Sequence, residues 1–243
     1  MRRQSRITTI RGHSFHTGLI NRESIVVDFG AHKGEFASRI RSDFGCKCIL
    51  VEALPSLYSQ IVDGPLVQKY HFAMASRDAP VELFISKNIE GNTITGSSTA
   101  GSDGSVTVEG VTLGTFMTRA GIDTIDLLKM DIEGAEIGLI QTASDEIFSK
   151  ITQITVEFHD FVPGGGVSAH QVAQINKRLQ DLGFYVIKFS RSLNTDVLFI
   201  NRKLSGISTA EYWYIKYINK YFHGISRLLR SSLNLIQDAG NEQ

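Results

Sequence analysis

Three carboxylates and a glycine follow directly on an apolar run in Ile125-Asp126-Leu127-Leu128-Lys129-Met130-Asp131-Ile132-Glu133-Gly134-Ala135-Glu136. In an open α/β sheet the loops at the strand ends converge on a ligand crevice. Asp131, Glu133 and Glu136 therefore stand where chemistry is done rather than where a core is filled. A later apolar run, residues 151–158, leads into Glu157-Phe158-His159. Its alternation puts Glu157 and His159 on one face, so both can enter the same crevice.

A third acidic strand end is Asp28-Phe29-Gly30-Ala31-His32-Lys33-Gly34, between the apolar run at 24–29 and a helical pattern. Glycines there let the backbone turn sharply and come close to a ligand, and the helix start offers free N–H groups. The dinucleotide spacing G-x-G-x-x-G is not met, because positions 32 and 35 hold His and Glu. An acid in the strand end also repels a pyrophosphate and suits a cation. Glu52, 22 residues after Gly30, closes the second apolar run. An acid so placed can accept both hydroxyls of a ribose; partnering the dipole of the helix near Pro55 is the alternative. Together Asp28, Gly30, Gly34 and Glu52 point to a nucleoside ligand without a pyrophosphate.

Short apolar runs alternating with helical patterns position these residues, which is the signature of βαβ units and a mostly parallel sheet. Strands are expected at 24–29, 46–52, 69–75, 125–131 and 151–158, with a closing pair at 184–189 and 195–200. Helices are expected at about 34–44, from Pro55, at 112–120 with Gly121 as cap, and at 168–182 ending at Gly183. Residues 81–85 alternate and read as an exposed, antiparallel strand. Residues 87–105 are rich in Gly, Ser, Asn and Thr without an apolar face, and read as a long functional loop or lid. Gly164-Gly165-Gly166 reads as a turn. No internal repeat or linker divides the chain.

At these residues the chain resembles a known family. Asp28-Phe29-Gly30-Ala31-His32-Lys33-Gly34, Val51-Glu52-Ala53, Ala73-Met74-Ala75 and above all Lys129-Met130-Asp131-Ile132-Glu133-Gly134-Ala135-Glu136 are similar to the FkbM family of S-adenosylmethionine-dependent methyltransferases, over roughly residues 24–200. The family usually has Asn at the position of His32. The resemblance implies a class I methyltransferase fold, an α/β Rossmann-like architecture with a seven-stranded, mostly parallel sheet whose final strand is antiparallel. It also implies S-adenosyl-L-methionine as cofactor and methyl transfer to a hydroxyl of a sugar, polyketide or other secondary metabolite. On that basis Asp28 and the loop Gly30, Ala31, His32, Gly34 hold the methionine end, Glu52 and Ala53 the ribose, and Ala73 and Met74 the adenine side. Asp131 sits beside the sulfonium. Carboxylates suit a cofactor carrying positive charge and no phosphate.

Alkylating an alcohol needs in-line placement and a base. Asp131, Glu133, Glu157 and His159 are the candidates, and His159 is chemically the best suited near neutral pH. Asp131, Glu157 and His159 also form a candidate set for a hard divalent cation. Glu136 reads as support for the loop, and Lys129 as projecting toward solvent or an acid.

Composition narrows the remaining choices. Lys plus Arg and Asp plus Glu number 25 each, so the chain lacks the basic excess of a dedicated nucleic-acid binder. Residues 1–23 form a basic segment with Arg2, Arg3, Arg6, Arg11 and Arg22, read as a solvated flank; the methyltransferase domain is expected at 24–203. Cys46 and Cys48 read as buried strand fillers, because neighbours two apart cannot form an unstrained disulfide and two thiols cannot complete a zinc site. With no signal-type apolar core and no run of 18 apolar residues, a cytoplasmic protein is expected.

The extension at 204–243 contains an amphipathic helix over 208–236, with Tyr214, Ile218, Tyr221, Ile225 and Leu228, and Ile215, Phe222 and Leu229 beside them, as its wide apolar stripe. Docking on its own domain, homodimerisation and peripheral membrane contact are its three readings. The favoured function is O-methyl transfer to a small-molecule or glycan acceptor. The alternative is a nucleoside-binding or membrane-associated module without catalysis, and a nicotinamide oxidoreductase ranks third.

Overall fold

The computed structural model describes residues 6–86, 102–160, 167–190 and 194–219. The chain opens with a hairpin, β1 (Ile7–Ile10) and β2 (His13–His16), and then alternates strands and helices. These are β3 (Ile25–Phe29), α1 (Glu35–Phe44), β4 (Lys47–Val51), α2 (Pro55–Tyr58), β5 (Val67–Tyr70), β6 (Ala73–Met74), β7 (Pro80–Ser86) and β8 (Ser102–Val111). There follow α3 (Leu113–Ala120), β9 (Ile125–Met130), α4 (Glu136–Thr142), α5 (Asp145–Phe148), β10 (Ile151–Val156) and α6 (Ala169–Asp181). Last come β11 (Phe184–Lys188), β12 (Val197–Asn201), α7 (Arg202–Ser205) and α8 (Thr209–Tyr214), which runs into a π-helical turn at Ile215–Asn219.

Among the described residues the main sheet has seven strands in the order β11-β12-β10-β9-β3-β4-β5. β12 is antiparallel to both of its neighbours, and the other pairings are parallel. This is the class I methyltransferase arrangement expected from the resemblance. The strand order reverses between β3 and β9, so the crevice for a ligand opens at their carboxyl ends. Both faces of the sheet are buried, which is why β3, β4 and β9 read as nearly continuous apolar runs. Phe29 meets Phe116 of α3 edge-on at 4.9 Å in the larger core, while Phe36 and Ile40 of α1 cover the opposite face. Cys46 and Cys48 are free and buried, as read from their spacing.

Four expectations change. Residues 69–75 are not one strand: the chain leaves the main sheet at His71, and Ala73–Met74 pairs with Gly110–Val111 instead. The segment 87–105 does not remain a loop to its end, because Ser102–Ser105 already pair with β7 in an antiparallel ladder that extends to Pro80↔Glu109. Backbone pairing supplies those bonds without any alternating side-chain pattern. The rest of that segment, and Gly164-Gly165-Gly166, lie outside the described residues.

The third change concerns the N-terminal segment, which is part of the fold. Arg11 (φ 49°) and Gly12 (φ 85°) make a two-residue turn of the mirror-image type that suits a hairpin. A lone hairpin is marginal in water, so this one persists by docking. Ser14 donates to Asp196 from both its N–H (2.9 Å) and its Oγ (2.7 Å), and His16 N–H donates to Gln153 Oε1 at 2.9 Å. Phe15 is fully buried between Phe36 and Phe44, a burial of about 1.5–3 kcal/mol. Arg6 and Arg11 remain at the surface, so only their solvated charge matches the sequence reading.

The fourth is the C-terminal stripe. Ile215 (2% exposed) of the expected stripe docks on β11 and β12 with Tyr212 (8%) beside it, whereas Tyr214 (50%) and Ile218 (47%) of the same stripe face solvent. Residues 220–236 of the expected helix lie outside the described residues. No helix among the described residues is long and apolar enough to cross a membrane.

Gly30 is the turn on which the convergence of β3 and β9 depends. Its φ is +71°, and a Cβ there would lie 1.7 Å from the Asp131 carbonyl oxygen. Gly121 has a similar φ of +63° but open space around it. Gly121→Ala is expected to cost about 1–2 kcal/mol in urea unfolding, the left-handed penalty alone. Gly30→Ala should cost about 1–3 kcal/mol more, because backbone must shift.

Candidate functional site

The carboxyl ends of β3, β4, β9 and β10 surround a cavity of about 650 Å³, a size usual for small-molecule sites. Its wall has two characters. Val51, Leu54, Leu57, Phe72, Met74 and Leu83 make an apolar part, and Lys129, Asp131, Glu133 and Glu157 make a charged part. Glu52 lies on the same wall, as do the backbone turn Gly30-Ala31-His32, Ala53, and Arg11, Gly12 and His13 from the hairpin.

Glu52 is held in place by the turns beside it. Its Oε2 accepts from His32 N–H at 2.7 Å and its Oε1 from Leu54 N–H at 2.9 Å. Burial pushes its carboxyl above the usual range, against the pull of those two donors. Each oxygen keeps a second lone pair for a ligand hydroxyl. His32, in left-handed backbone (φ 53°), presents its N–H where Glu52 can take it.

Asp28 is not on the cavity wall. It is fully buried, and Lys129 lies over it with Nζ 3.1 Å from Oδ1. The two face each other across paired strands, which their register dictates. Nζ also donates to the carbonyls of Gly30 (2.7 Å) and Phe29 (3.3 Å) and lies 3.5 Å from Asp131 Oδ2. Burial opposes the ammonium charge, but Asp28 and Asp131 outweigh it and hold the Lys129 pKa above its usual value. The role implied for Asp28 by the resemblance is therefore corrected from ligand contact to support: it neutralises the lysine that lies on the wall. Two other residues move behind the wall. Gly34 turns toward Leu50 and Ile61, and Ala73 is buried in a cluster with Leu54, Leu57 and Leu83.

The loop after β9 is built around Glu136, whose carboxylate is fully buried. It accepts from the N–H groups of Ile132 (2.9 Å) and Gly134 (3.1 Å) and meets His159 Nδ1 at 3.1 Å. This is the supporting role read from the sequence. His159 Nε2 lies 3.2 Å from Glu133 Oε2 and 3.7 Å from Asp131 Oδ1. Burial disfavours the imidazolium, yet the bond to Glu136 and the charges of Glu136, Glu133 and Asp131 outweigh it, raising its pKa to about 9. A raised pKa favours the imidazolium and so works against His159 as the group that removes a proton; its contacts to Glu136 and Glu133 tie β10 to the loop.

The carboxyls around it are driven apart. Burial raises the Glu133 pKa to about 7, with Asp131, Glu136 and Glu157 adding to the rise against His159. Asp131 is held well below the carboxylate range: burial opposes its charge, and Lys129, His13 and His159 overcome it. Burial pushes Glu157 up. Glu133 takes left-handed backbone (φ 52°), the kind of local strain that a packed loop can hold at a site.

Asp131, Glu157 and His159 do not form one ligand set. Glu157 gathers with His13 and Asp131 on one side, and His159 with Asp131 and Glu133 on the other. His13 and Arg11 were missed from the sequence, because the hairpin lies far from every motif; of the two readings of Lys129, solvent or an acid, the structure shows the acid. The available signals were the β-branched Ile7-Thr8-Thr9-Ile10 and the Gly12 that follows it.

A model of the Methyltransferase FkbM domain matches residues 28–186. A sequence search of curated proteins returns no significant match. Similar solved structures include a precorrin-6y C5,15-methyltransferase from Geobacter metallireducens, 11% identical over 74% of this chain and 80% of that one, with a TM-score of 0.40. A TehB-like SAM-dependent methyltransferase from Corynebacterium glutamicum is 11% identical over 76% and 83%, at 0.41. Aeropyrum pernix fibrillarin, with natively bound S-adenosyl-L-methionine, is 11% identical over 74% and 66%, at 0.39. Likeness at this level carries no functional argument, and the fold assignment stands on the sheet order.

The His159 ion pairs imply a pH dependence of stability. A raised folded-state pKa stabilises fully below the ordinary value of 6.5, and that stabilisation is lost as pH rises through about 9. In chelator-containing buffer the unfolding free energy should fall over that window by on the order of 3 kcal/mol, and His159→Gln should remove most of the slope. A flat profile for the unaltered protein contradicts the assignment.

Proposed function

The chain belongs to the FkbM family of S-adenosylmethionine-dependent methyltransferases, and from that premise we propose that it methylates a hydroxyl oxygen of a glycan or secondary metabolite. The observation that carries this reading is the division of the cavity wall. An apolar part suits an adenine ring, Glu52 lies on the wall with lone pairs to spare for ribose hydroxyls, and the charged part is dominated by carboxylates that suit a sulfonium and an ammonium. A pyrophosphate has no partner of matching charge there: Lys129 is shared with Asp28, and Arg11 pairs with Glu35 at 3.0 Å.

Bound S-adenosylmethionine supplies an electrophilic methyl group. Asp131, held anionic, favours positive charge in the charged part of the cavity. Leu54, Leu57 and Met74 exclude water from the nucleoside side. Transfer to an alcohol forms an O–C bond as the S–C bond breaks, and the hydroxyl proton must leave. Glu133 lines the cavity and is steadied by His159 at 3.2 Å, and in this reading it accepts that proton. The products are a methyl ether and the neutral thioether S-adenosylhomocysteine.

Calorimetry with S-adenosylhomocysteine should show binding that Glu52→Gln weakens about 10–100-fold, the loss of charge-assisted hydrogen bonds. Glu133→Gln should keep that affinity while turnover on hydroxyl acceptors falls about 10²–10⁴-fold. Mass spectrometry of the product should place the methyl group on oxygen. No binding of S-adenosylhomocysteine, or a methyl group found on nitrogen, sulfur or carbon, overturns the proposal; binding without turnover on any hydroxyl acceptor reduces the chain to a nucleoside-binding module.

A further inference from the structure

The hairpin places an imidazole in the cavity wall that the methyl-transfer account does not use. His13 is 1% exposed, and neither of its ring nitrogens has a hydrogen-bond partner among the described residues. Its Nε2 points toward Asp131 but stops 3.5 Å from Oδ2, longer than a good hydrogen bond. A buried polar group left in this state requires an explanation. Glu157 stands on the third side, on the cavity wall. One atom from each of His13, Asp131 and Glu157 lies within 4.8 Å of the other two, a spacing that an ion at ordinary ligand distances can close with small side-chain movements.

We propose that His13, Asp131 and Glu157 bind a divalent cation of the manganese or magnesium class at the floor of the cavity. Two carboxylates and one imidazole on one side of an ion match the oxygen-rich preference of these metals. Coordination also completes what the fold leaves open: a lone pair of a buried imidazole gains a partner, and the Glu157 carboxylate gains a counter-ion. The second grouping, Asp131, Glu133 and His159, lacks that need, because His159 is already bound at Nδ1 by Glu136 and at Nε2 by Glu133. The ligands come from three separate elements, namely β2 and the loops after β9 and β10. The docking of β2 through Ser14–Asp196 and His16–Gln153 therefore sets the geometry of the site. With positions left open toward the cavity, the ion would hold and acidify an acceptor hydroxyl. That role rests on the methyl-transfer reading; binding of the ion does not.

The test is Mn²⁺ titration of the chelator-stripped full chain, without nucleoside, with free Mn²⁺ read by electron paramagnetic resonance. The expected result is one saturable Mn²⁺ per chain, weakened at least about tenfold in His13→Ala and again in Glu157→Gln, with His159→Gln changing it far less. Thermal unfolding and S-adenosylhomocysteine calorimetry on each variant show that it is folded. Absence of saturable binding overturns the proposal, as does binding that survives both substitutions or that depends on His159 instead. If the nucleoside binds and Mn²⁺ does not, the metal site fails and the methyl-transfer reading stands; the reverse outcome separates them the other way.

Discussion

The ammonium of Lys129 sits where the ends of β3 and β9 meet, within ion-pair distance of Asp28 and Asp131 and hydrogen-bonded to the carbonyls of Phe29 and Gly30. The parallel topology brings strand-end acids together in a low-dielectric crevice, which without a counter-charge costs several kcal/mol per ion. Lys129 offsets that cost from within the sheet. It does so only because Asp28 faces it in register and because Gly30 lets the two loops come into backbone contact. One buried pair thereby fixes the relative position of the turn that orients Glu52 and the loop that carries Asp131.

Environment then gives chemically similar carboxyls different work. Glu136, satisfied by two backbone N–H groups and His159, folds a loop. Glu52 is spent on two backbone donors yet keeps lone pairs for a ligand. Asp131 lies among cationic and imidazole groups and stays charged, whereas Glu133, desolvated and with three acids near it against the one imidazole of His159, titrates near neutrality. His159 follows the same logic in reverse. Surrounded by carboxylates, it favours its charged form, the opposite of what its ordinary pKa suggests.

The mostly parallel sheet, the acidic strand ends and the supporting place of Glu136 were legible in the sequence, because buried parallel strands write themselves as apolar runs that end in polar residues. The seven strands and the antiparallel closing strand came from the family resemblance. The role of Asp28 was not legible. An acid at a strand end looks the same whether it faces a ligand or a lysine on the next strand, and only the register with Lys129 decides. The hairpin was also hidden, since its basic residues describe its solvated side and the packing of Phe15 and His13 depends on elements far away in the chain. The final helix shows the same limit: periodicity identified a wide apolar stripe, but tertiary contacts bury its Ile215 edge with Tyr212 and leave Tyr214 and Ile218 exposed.

The central claim is that the divided wall of this cavity receives a nucleoside carrying positive charge. The most direct measurement is a crystal structure of the chain with S-adenosylhomocysteine. Ribose hydroxyls are expected on Glu52, the adenine against Leu54 and Leu57, and the sulfur on the side of Asp131. A nucleoside bound in reverse, with its sulfur beside Leu57, or seated outside the ends of β3, β4 and β9, would contradict it.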